Sequence, residues 1–274
     1  MSRHIILCAD DYALAPGVSA AIRELIGRGR LNATSVMTVF SEFEAEAKSL
    51  QSVKNPIPLS IGLHVTLTGG FVPLVAPPIP TSDGRLPPSS KLLPPVGFFR
   101  INRHAVKAEV KAQIEKFKYA FGRTPDYVDG HQHVQLMPGV RSSFLAAVAE
   151  AAPKAWVRQC APVALSADFF GNSKSRFLGI LSRGFRKHAQ KLGLAFNPGF
   201  AGAYDYALPK DFGALFPRFL EGLPSGGVIM CHPGHVDETL IARDSLTDQR
   251  EKEYAFLMSD GLTSALQRAG ATLA

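Results

Sequence analysis

Nine residues near the start of the chain constrain it most: His4-Ile5-Ile6-Leu7-Cys8-Ala9-Asp10-Asp11-Tyr12. A short apolar run rich in isoleucine and leucine reads as a buried strand, and this one ends in two adjacent carboxylates. Neighbouring carboxylates repel, so one of them takes up a proton unless a cation stands close by. A metal ion, an arginine or a histidine would keep both ionised. The pair is therefore read as one metal ligand and one general base at the C-terminal end of a first strand. The structural alternative is an N-cap, in which an aspartate accepts backbone N–H groups of a helix opening near Pro16.

The rest of the chain repeats a strand–loop–helix pattern. Pro16 suits a first helical position, and Val18, Ile22, Leu25 and Ile26 follow at helical spacing until Gly27 and Gly29. Residues 32–40 predict a second strand, 42–50 a short helix, and 59–65 a third strand carrying His64. A helix is expected over 105–121, with Val106, Val110, Ile114 and Phe117 on one face. The short strand 127–129 runs into Gly130-His131-Gln132-His133, and Pro138 opens a helix that extends to Ala151. Strand 155–159 carries Arg158 near its end. Residues 174–192 predict a basic amphipathic helix with Phe177, Ile180, Leu181 and Phe185 facing one way. It is read as packed on a sheet with a solvated basic face, a membrane-surface role being the alternative. A strand at 194–197, a helix at 211–220, a strand at 226–230 leading into Cys231-His232, and one or two helices over 248–269 complete the pattern.

This alternation, without a break in composition, predicts one α/β domain over residues 1–274 built on a parallel sheet. In such folds ligands sit beyond the C-terminal strand ends. Asp10, Asp11, His64, His131, Arg158 and His232 all fall there, which favours an active site over scattered structural polar residues. Residues 66–104 stand apart. They hold eight of the chain's 20 prolines, and so long an insertion is expected to form a rim or lid, with Phe98 and Phe99 as a sugar- or acyl-facing platform.

Composition narrows the partners. The net charge of +7 admits acidic ones, but the interleaved basic and aromatic residues of a nucleic-acid surface are missing, so no nucleic acid is expected. Cys8, Cys160 and Cys231 form no C-x-x-C pair and fit a reducing cytoplasm. The first apolar run, about six residues, is too short for a signal-peptide core or a transmembrane segment. A cytoplasmic protein is expected.

The residue types point to hydrolysis. Asp11, His64 and His131 could hold a divalent metal from three strand ends with positions left open. Such an ion polarises a carbonyl or acidifies a water. Asp10 would take the water's proton, His232 would protonate the leaving group, and Arg158 would hold the base ionised and oriented. His131 and His133 are two apart, so on an extended backbone they face the same way. One need bind metal while the other contacts substrate. No G-x-S-x-G, P-loop or G-x-G-x-x-G is present, which removes the signals for serine hydrolases and nucleotide binders. A phosphoesterase, a cyclic amidohydrolase and a non-catalytic sugar-binding barrel stand as rivals.

Four motifs occur in order: Ala9-Asp10-Asp11-Tyr12 with Pro16-Gly17-Val18, Gly62-Leu63-His64-Val65-Thr66-Leu67-Thr68, Asp129-Gly130-His131-Gln132-His133-Val134, and Cys231-His232-Pro233-Gly234. Together they resemble the YdjC-like carbohydrate deacetylases, a group that includes chitooligosaccharide deacetylases and a hopanoid-biosynthesis branch. The resemblance implies a distorted TIM-like (β/α) barrel of about seven parallel strands. It also implies removal of an acetyl group from an N-acetylated sugar or glycolipid with one divalent metal ion, magnesium or zinc. By similarity to polysaccharide deacetylases, Asp10 is the base, Asp11, His64 and His131 bind metal, His232 is the acid and Arg158 steadies the base. Tyr12 and His133, with Phe98 and Phe99, are expected on the substrate side, and a homodimer is compatible with the family. The chain departs from the family pattern at Tyr12-Ala13, where Phe-Gly is common. It departs again at Gly130, where serine is common, and at Gln135, where a histidine is common. These changes spare the metal ligands and fall on the substrate side.

Overall fold

The computed structural model describes residues 2–93, 100–163, 173–205 and 211–274. In chain order the elements are β1 (Arg3–His4), β2 (Ile6–Tyr12), α1 (Pro16–Gly27), β3 (Ala33–Val36), α2 (Phe43–Gln51), β4 (Ser60–Val65), α3 (Arg103–Phe121), β5 (Tyr127–Gly130), α4 (Arg141–Ala151), β6 (Trp156–Val157) and α5 (Ser173–Lys191). They continue with β7 (Phe200–Ala201), α6 (Phe212–Leu220), β8 (Val228–Cys231), α7 (Glu238–Arg243), α8 (Asp248–Met258), α9 (Asp260–Arg268) and β9 (Ala271–Thr272). A 3-10 turn lies at Ser89–Leu92, and a kinked 3-10 segment covers His131–Leu136.

Seven strands form one parallel sheet in the order β6-β5-β4-β3-β2-β8-β7. Its two edges approach each other through isolated parallel bridges, Val157 to Phe196 and Pro162 to Phe200. The result is the expected distorted (β/α) barrel. A separate pair, β1 with β9, ties the two ends of the described chain together.

β2 lies between β3 and β8 and is buried from Leu7 onward, as a continuous apolar run in a parallel sheet should be. Asn32 fixes its entry. The side chain accepts from Leu7 N–H at 2.8 Å and donates to the carbonyls of Ile5 and Leu273 at 2.8 and 2.9 Å. This clamp explains why the second strand starts at Ala33 rather than at residue 32. Gly62 lets β4 approach β5, because a Cβ there would stand 2.3 Å from the Tyr127 ring.

Several expectations need correction. The strand predicted over 32–40 ends at Val36, and the helix predicted from Pro138 begins at Arg141. The strand expected over 194–197 is reduced to the bridge at Phe196, with the paired strand following at Phe200–Ala201. α7 was not anticipated, and at six residues it is too short to show periodicity. On α5, Phe177 and Ile180 do not join the packed face; they are 44% and 66% exposed. Leu178, Leu181, Ser182, Phe185 and Ala189 are buried instead. At 100° per residue these five share one arc that excludes Phe177 and Ile180.

The proline-rich segment is organised by hydrogen bonds. Leu86 N–H donates to Phe71 O at 2.8 Å, and Gly70 N–H donates to Leu86 O at 3.1 Å. The buried carboxylate of Glu109, on α3, accepts the N–H groups of Leu74, Val75 and Ala76. Phe98 and Phe99 lie outside the described residues. No described helix is long and apolar enough to cross a membrane.

Candidate active site

Strand register assembles the site. His64 on β4 is the cross-strand neighbour of Asp129 on β5, and Ala9 on β2 pairs with Cys231 on β8. The residues that follow this second pair, Asp10 and His232, therefore emerge side by side at the C-terminal end of the sheet. His131 and Arg158 each come one residue after their strands. Asp10, Asp11, His64, His131, His133, His232 and Arg250 line a cleft of about 540 Å³, and Ser89 brings the proline-rich segment to its wall.

Consecutive strand residues point to opposite faces, yet Asp10 and Asp11 both line this cleft. The reason is local. Asp11 has φ +67°, and the pairing of β2 with β3 shifts register between Ala9 and Tyr12. This irregularity breaks the alternation and turns two successive carboxylates to one side. A left-handed backbone at a non-glycine residue costs about 1–2 kcal/mol, less for aspartate, and such strain gathers at functional sites. The N-cap alternative does not hold, because α1 is preceded by Ala15 and has no side-chain cap.

Asp10 is held by Arg158 in a two-point grip. Nη1 donates to Oδ2 at 2.6 Å and Nη2 to Oδ1 at 2.8 Å, and Ser35 Oγ adds a bond to Oδ1 at 3.0 Å. Burial opposes charge on Asp10, but the Arg158 guanidinium and His64 outweigh it and hold the carboxyl well below the usual range. Arg158 is itself buried. Its Nη2 also contacts Asp129 Oδ2 at 2.6 Å and Cys8 Sγ at 2.9 Å.

Asp11 sits among four cationic or imidazole groups. Its Oδ1 lies 3.0 Å from His131 Nδ1 and 3.3 Å from His64 Nε2. Its Oδ2 accepts from Arg250 Nη2 at 2.7 Å and lies 4.0 Å from His232 Nε2. Burial again opposes the charge, and Arg250 with His131 prevails, keeping Asp11 well below the ordinary carboxylate range. His64 Nδ1 faces Asp129 Oδ1 at 2.6 Å, which leaves Nε2 turned to Asp11. Although burial disfavours its charge, Asp129 and Asp10 raise His64 to about 10. Burial pushes His232 down to about 4, with Arg250 contributing and Asp11 opposing.

The ligand atoms of Asp11, His64 and His131 all lie within 4.8 Å of one another, and all three residues are buried. One carboxylate and two imidazoles are a donor set for a borderline divalent cation. The outward imidazole nitrogen of His64 rests on a carboxylate, the partner that orients metal-binding histidines. The residues present therefore fit a metal ion.

His133 lines the same cleft as His131, but not on an extended backbone. Gln132 and His133 have φ of 55° and 57° in a turn that carries both histidines past the strand end. His133 Nδ1 lies 3.5 Å from Cys160 Sγ. Tyr12 stands apart from the cleft lining. It is buried, and its hydroxyl donates to Glu46 O at 2.8 Å while accepting from Arg23 at the same distance.

Four further residues bear on the site and were not singled out from sequence. Asp129 joins His64 to Arg158, and its place at a strand end beside His131 was a usable signal. Arg250 and Asp244, 2.6 Å apart, come from α8 and the loop before it, where no motif marks them. Glu253, one turn beyond Arg250, accepts the His232 backbone N–H at 2.5 Å and the Tyr204 hydroxyl.

Comparisons with known proteins identify the family and the fold. The sequence model described as YdjC-like protein matches residues 4–268. The chain is 27% identical to a carbohydrate deacetylase of Geobacillus stearothermophilus, over 100% of this chain and 96% of that protein. It is also 27% identical to a chitooligosaccharide deacetylase of Yersinia pestis (strain Pestoides F), covering 98% of this chain and 96% of that one. Among solved structures, an Enterococcus faecalis V583 protein described as a candidate for cellobiose-phosphate cleavage superimposes with a TM-score of 0.76. It is 22% identical, covers 100% of this chain and 97% of its own, and so matches in fold. With the family model spanning nearly its whole length, this chain belongs to the YdjC-like family.

Proposed function

We propose that this protein is a metal-dependent hydrolase that removes the acetyl group from an N-acetylated sugar, oligosaccharide or glycoconjugate. One observation carries the proposal. The triad Asp11, His64 and His131 opens on the same cleft as a second carboxylate, Asp10, that a buried arginine keeps ionised. The names of the two deacetylase relatives support the substrate class.

In this reading Asp11, His64 and His131 hold the ion, which when bound would polarise the acetyl carbonyl and acidify a water. Two imidazoles among three ligands favour zinc over magnesium, which prefers oxygen donors. Asp10, ionised and fixed by Arg158, accepts the proton of the attacking water. His232 faces the site across Asp11 and rests neutral. Negative charge developing beside it in the transition state raises its proton affinity, so it takes up a proton from solvent and passes that proton to the departing amine, ending neutral again. Asp10 meanwhile holds the proton of the water until it is released to solvent. Asp129 holds the ring of His64 and the guanidinium of Arg158 in register with each other. His133 contacts the sugar from the cleft wall.

A two-metal phosphoesterase is less well supported. Cys8, Asp10 and Asp129 form a second cluster of ligand atoms, but Arg158 hydrogen-bonds to Cys8 and Asp10 and ion-pairs with Asp129, and a guanidinium there takes the place of a second cation. The test is mass spectrometry of N-acetylglucosamine and its short oligomers after incubation with the metal-loaded protein. Loss of acetyl groups from at least one sugar supports the proposal. Sugars bound but returned intact would point to a non-catalytic binding barrel.

A further inference from the structure

The strongest feature outside the cleft is the exposed face of α5. Between Ser173 and Lys191 the sequence holds Lys174, Arg176, Arg183, Arg186, Lys187 and Lys191, and no aspartate or glutamate. Arg176, Ile180, Arg183 and Lys187 follow at spacings of four, three and four, which puts them on one stripe. All four are exposed, Ile180 by 66%, and Phe177 beside them by 44%. Ordinary solvated helix faces mix both signs of charge and bury their large apolar residues. This one does neither. Among the described residues no carboxylate forms an ion pair with Arg176, Arg183 or Lys187.

The stripe also has a defined place in the fold. α5 follows β6, so its first turns lie at the C-terminal, cleft-bearing end of the sheet. A Cβ at Gly179 would stand 3.5 Å from Pro162, just beyond β6. Seven large hydrophobic residues are exposed among the described residues. Five of them, Val72, Val75, Phe177, Ile180 and Ile241, lie on segments leaving the C-terminal ends of β4, β6 and β8.

We propose that the Arg176–Ile180–Arg183–Lys187 stripe of α5, with Phe177, docks this protein on an anionic lipid bilayer. Cations of this spacing meet acidic headgroups while their aliphatic stems lie along the apolar boundary. Phe177 and Ile180 then enter the interface as the apolar side of an in-plane helix. A second copy of this chain is a poor occupant, because two such faces would oppose like charges. A nucleic acid would satisfy the cations and leave Ile180 without an apolar partner. The inference does not depend on the catalytic reading.

The test is co-sedimentation of the full chain with vesicles of phosphatidylcholine alone, and with vesicles in which one third is phosphatidylglycerol. Binding is expected to the anionic vesicles only and to weaken steeply with added salt. Arg183→Ser and Lys187→Ser should each reduce it about fivefold, and the double variant Phe177→Ser, Ile180→Ser about tenfold or more. Unchanged circular dichroism and melting temperature would show that these surface variants are folded. Absence of binding to anionic vesicles at low salt would overturn the proposal. So would full retention of binding in the Phe177→Ser, Ile180→Ser variant, or tighter binding to duplex DNA than to the vesicles, either of which would mark the stripe as a general polyanion surface.

Discussion

Arg158 grips both carboxylate oxygens of Asp10, at 2.6 and 2.8 Å, from a side chain that is itself only 1% exposed. The geometry is the planar fork-to-fork match that only arginine offers a carboxylate. Its consequence is electrostatic: a buried carboxylate that would otherwise take up a proton stays a base.

Arg158→Met should therefore act on the pH profile as well as on the rate. With the cation gone, burial raises the carboxyl of Asp10, and the acid limb of kcat/KM moves to higher pH. Removing one member of a buried ion pair also costs about 3–5 kcal/mol of stability, read as a lower melting temperature. Arg158→Lys keeps the charge but loses the second bond, so it should recover stability better than activity. An unshifted acid limb in Arg158→Met would remove Asp10 from the role of base.

Asp129→Asn should weaken metal binding about 10–100-fold, the usual cost of losing the carboxylate behind a metal-binding imidazole. Competition with a chromophoric chelator measures this without any assay of turnover. Affinity equal to that of the natural protein would mean that His64 is not a ligand.

Glu253 gives a stability signature between mildly acidic and neutral pH. Burial raises it to about 7, against the opposing bonds from Tyr204 and the His232 backbone. A carboxyl raised in the folded state keeps its proton where the unfolded chain has lost it. Stability is therefore greatest below about pH 4.5 in this group's contribution and falls as pH rises toward 7. The shift corresponds to about 3 kcal/mol. In Glu253→Gln that slope should vanish from denaturation midpoints between pH 5 and 7.5, and persistence of the same slope would assign it to another group.

Gly62→Ala tests the strand contact that brings His64 to Asp129. The new methyl would meet the Tyr127 ring, which is already stacked on Trp156 at 4.5 Å between centroids. The ring can yield only by disturbing the β4–β5 pairing, so a loss of about 1–3 kcal/mol is expected in chemical denaturation. A neutral result would show that the two strands do not need this close approach.

Much of this was legible beforehand because strand ends announce themselves. The apolar run closing on Asp10-Asp11, and the histidines ending similar runs at His64, His131 and His232, identify one end of a parallel sheet without any coordinates. What periodicity could not supply was the departure from periodicity. The left-handed backbone at Asp11, which puts two successive carboxylates on one side, and the turn at Gln132-His133 are local exceptions to the rules that found the strands. Arg250 and Glu253 were invisible for another reason. They are ordinary polar residues on a helix until the fold carries that helix against Asp11 and His232. Phe177 and Ile180 misled in the opposite sense, since apolar residues on an amphipathic helix are expected inward and these two point out.

The most direct measurement is acetate release from N-acetylated chito-oligosaccharides by the natural protein and by Asp10→Asn, each stripped of metal and then given zinc or magnesium. Stripping should abolish release by the natural protein, and added metal should restore it. Asp10→Asn should bind the same metal yet turn over about 10²–10⁴-fold more slowly. Undiminished release by the stripped protein would rule out the metal, and undiminished release by metal-loaded Asp10→Asn would rule out Asp10 as the base.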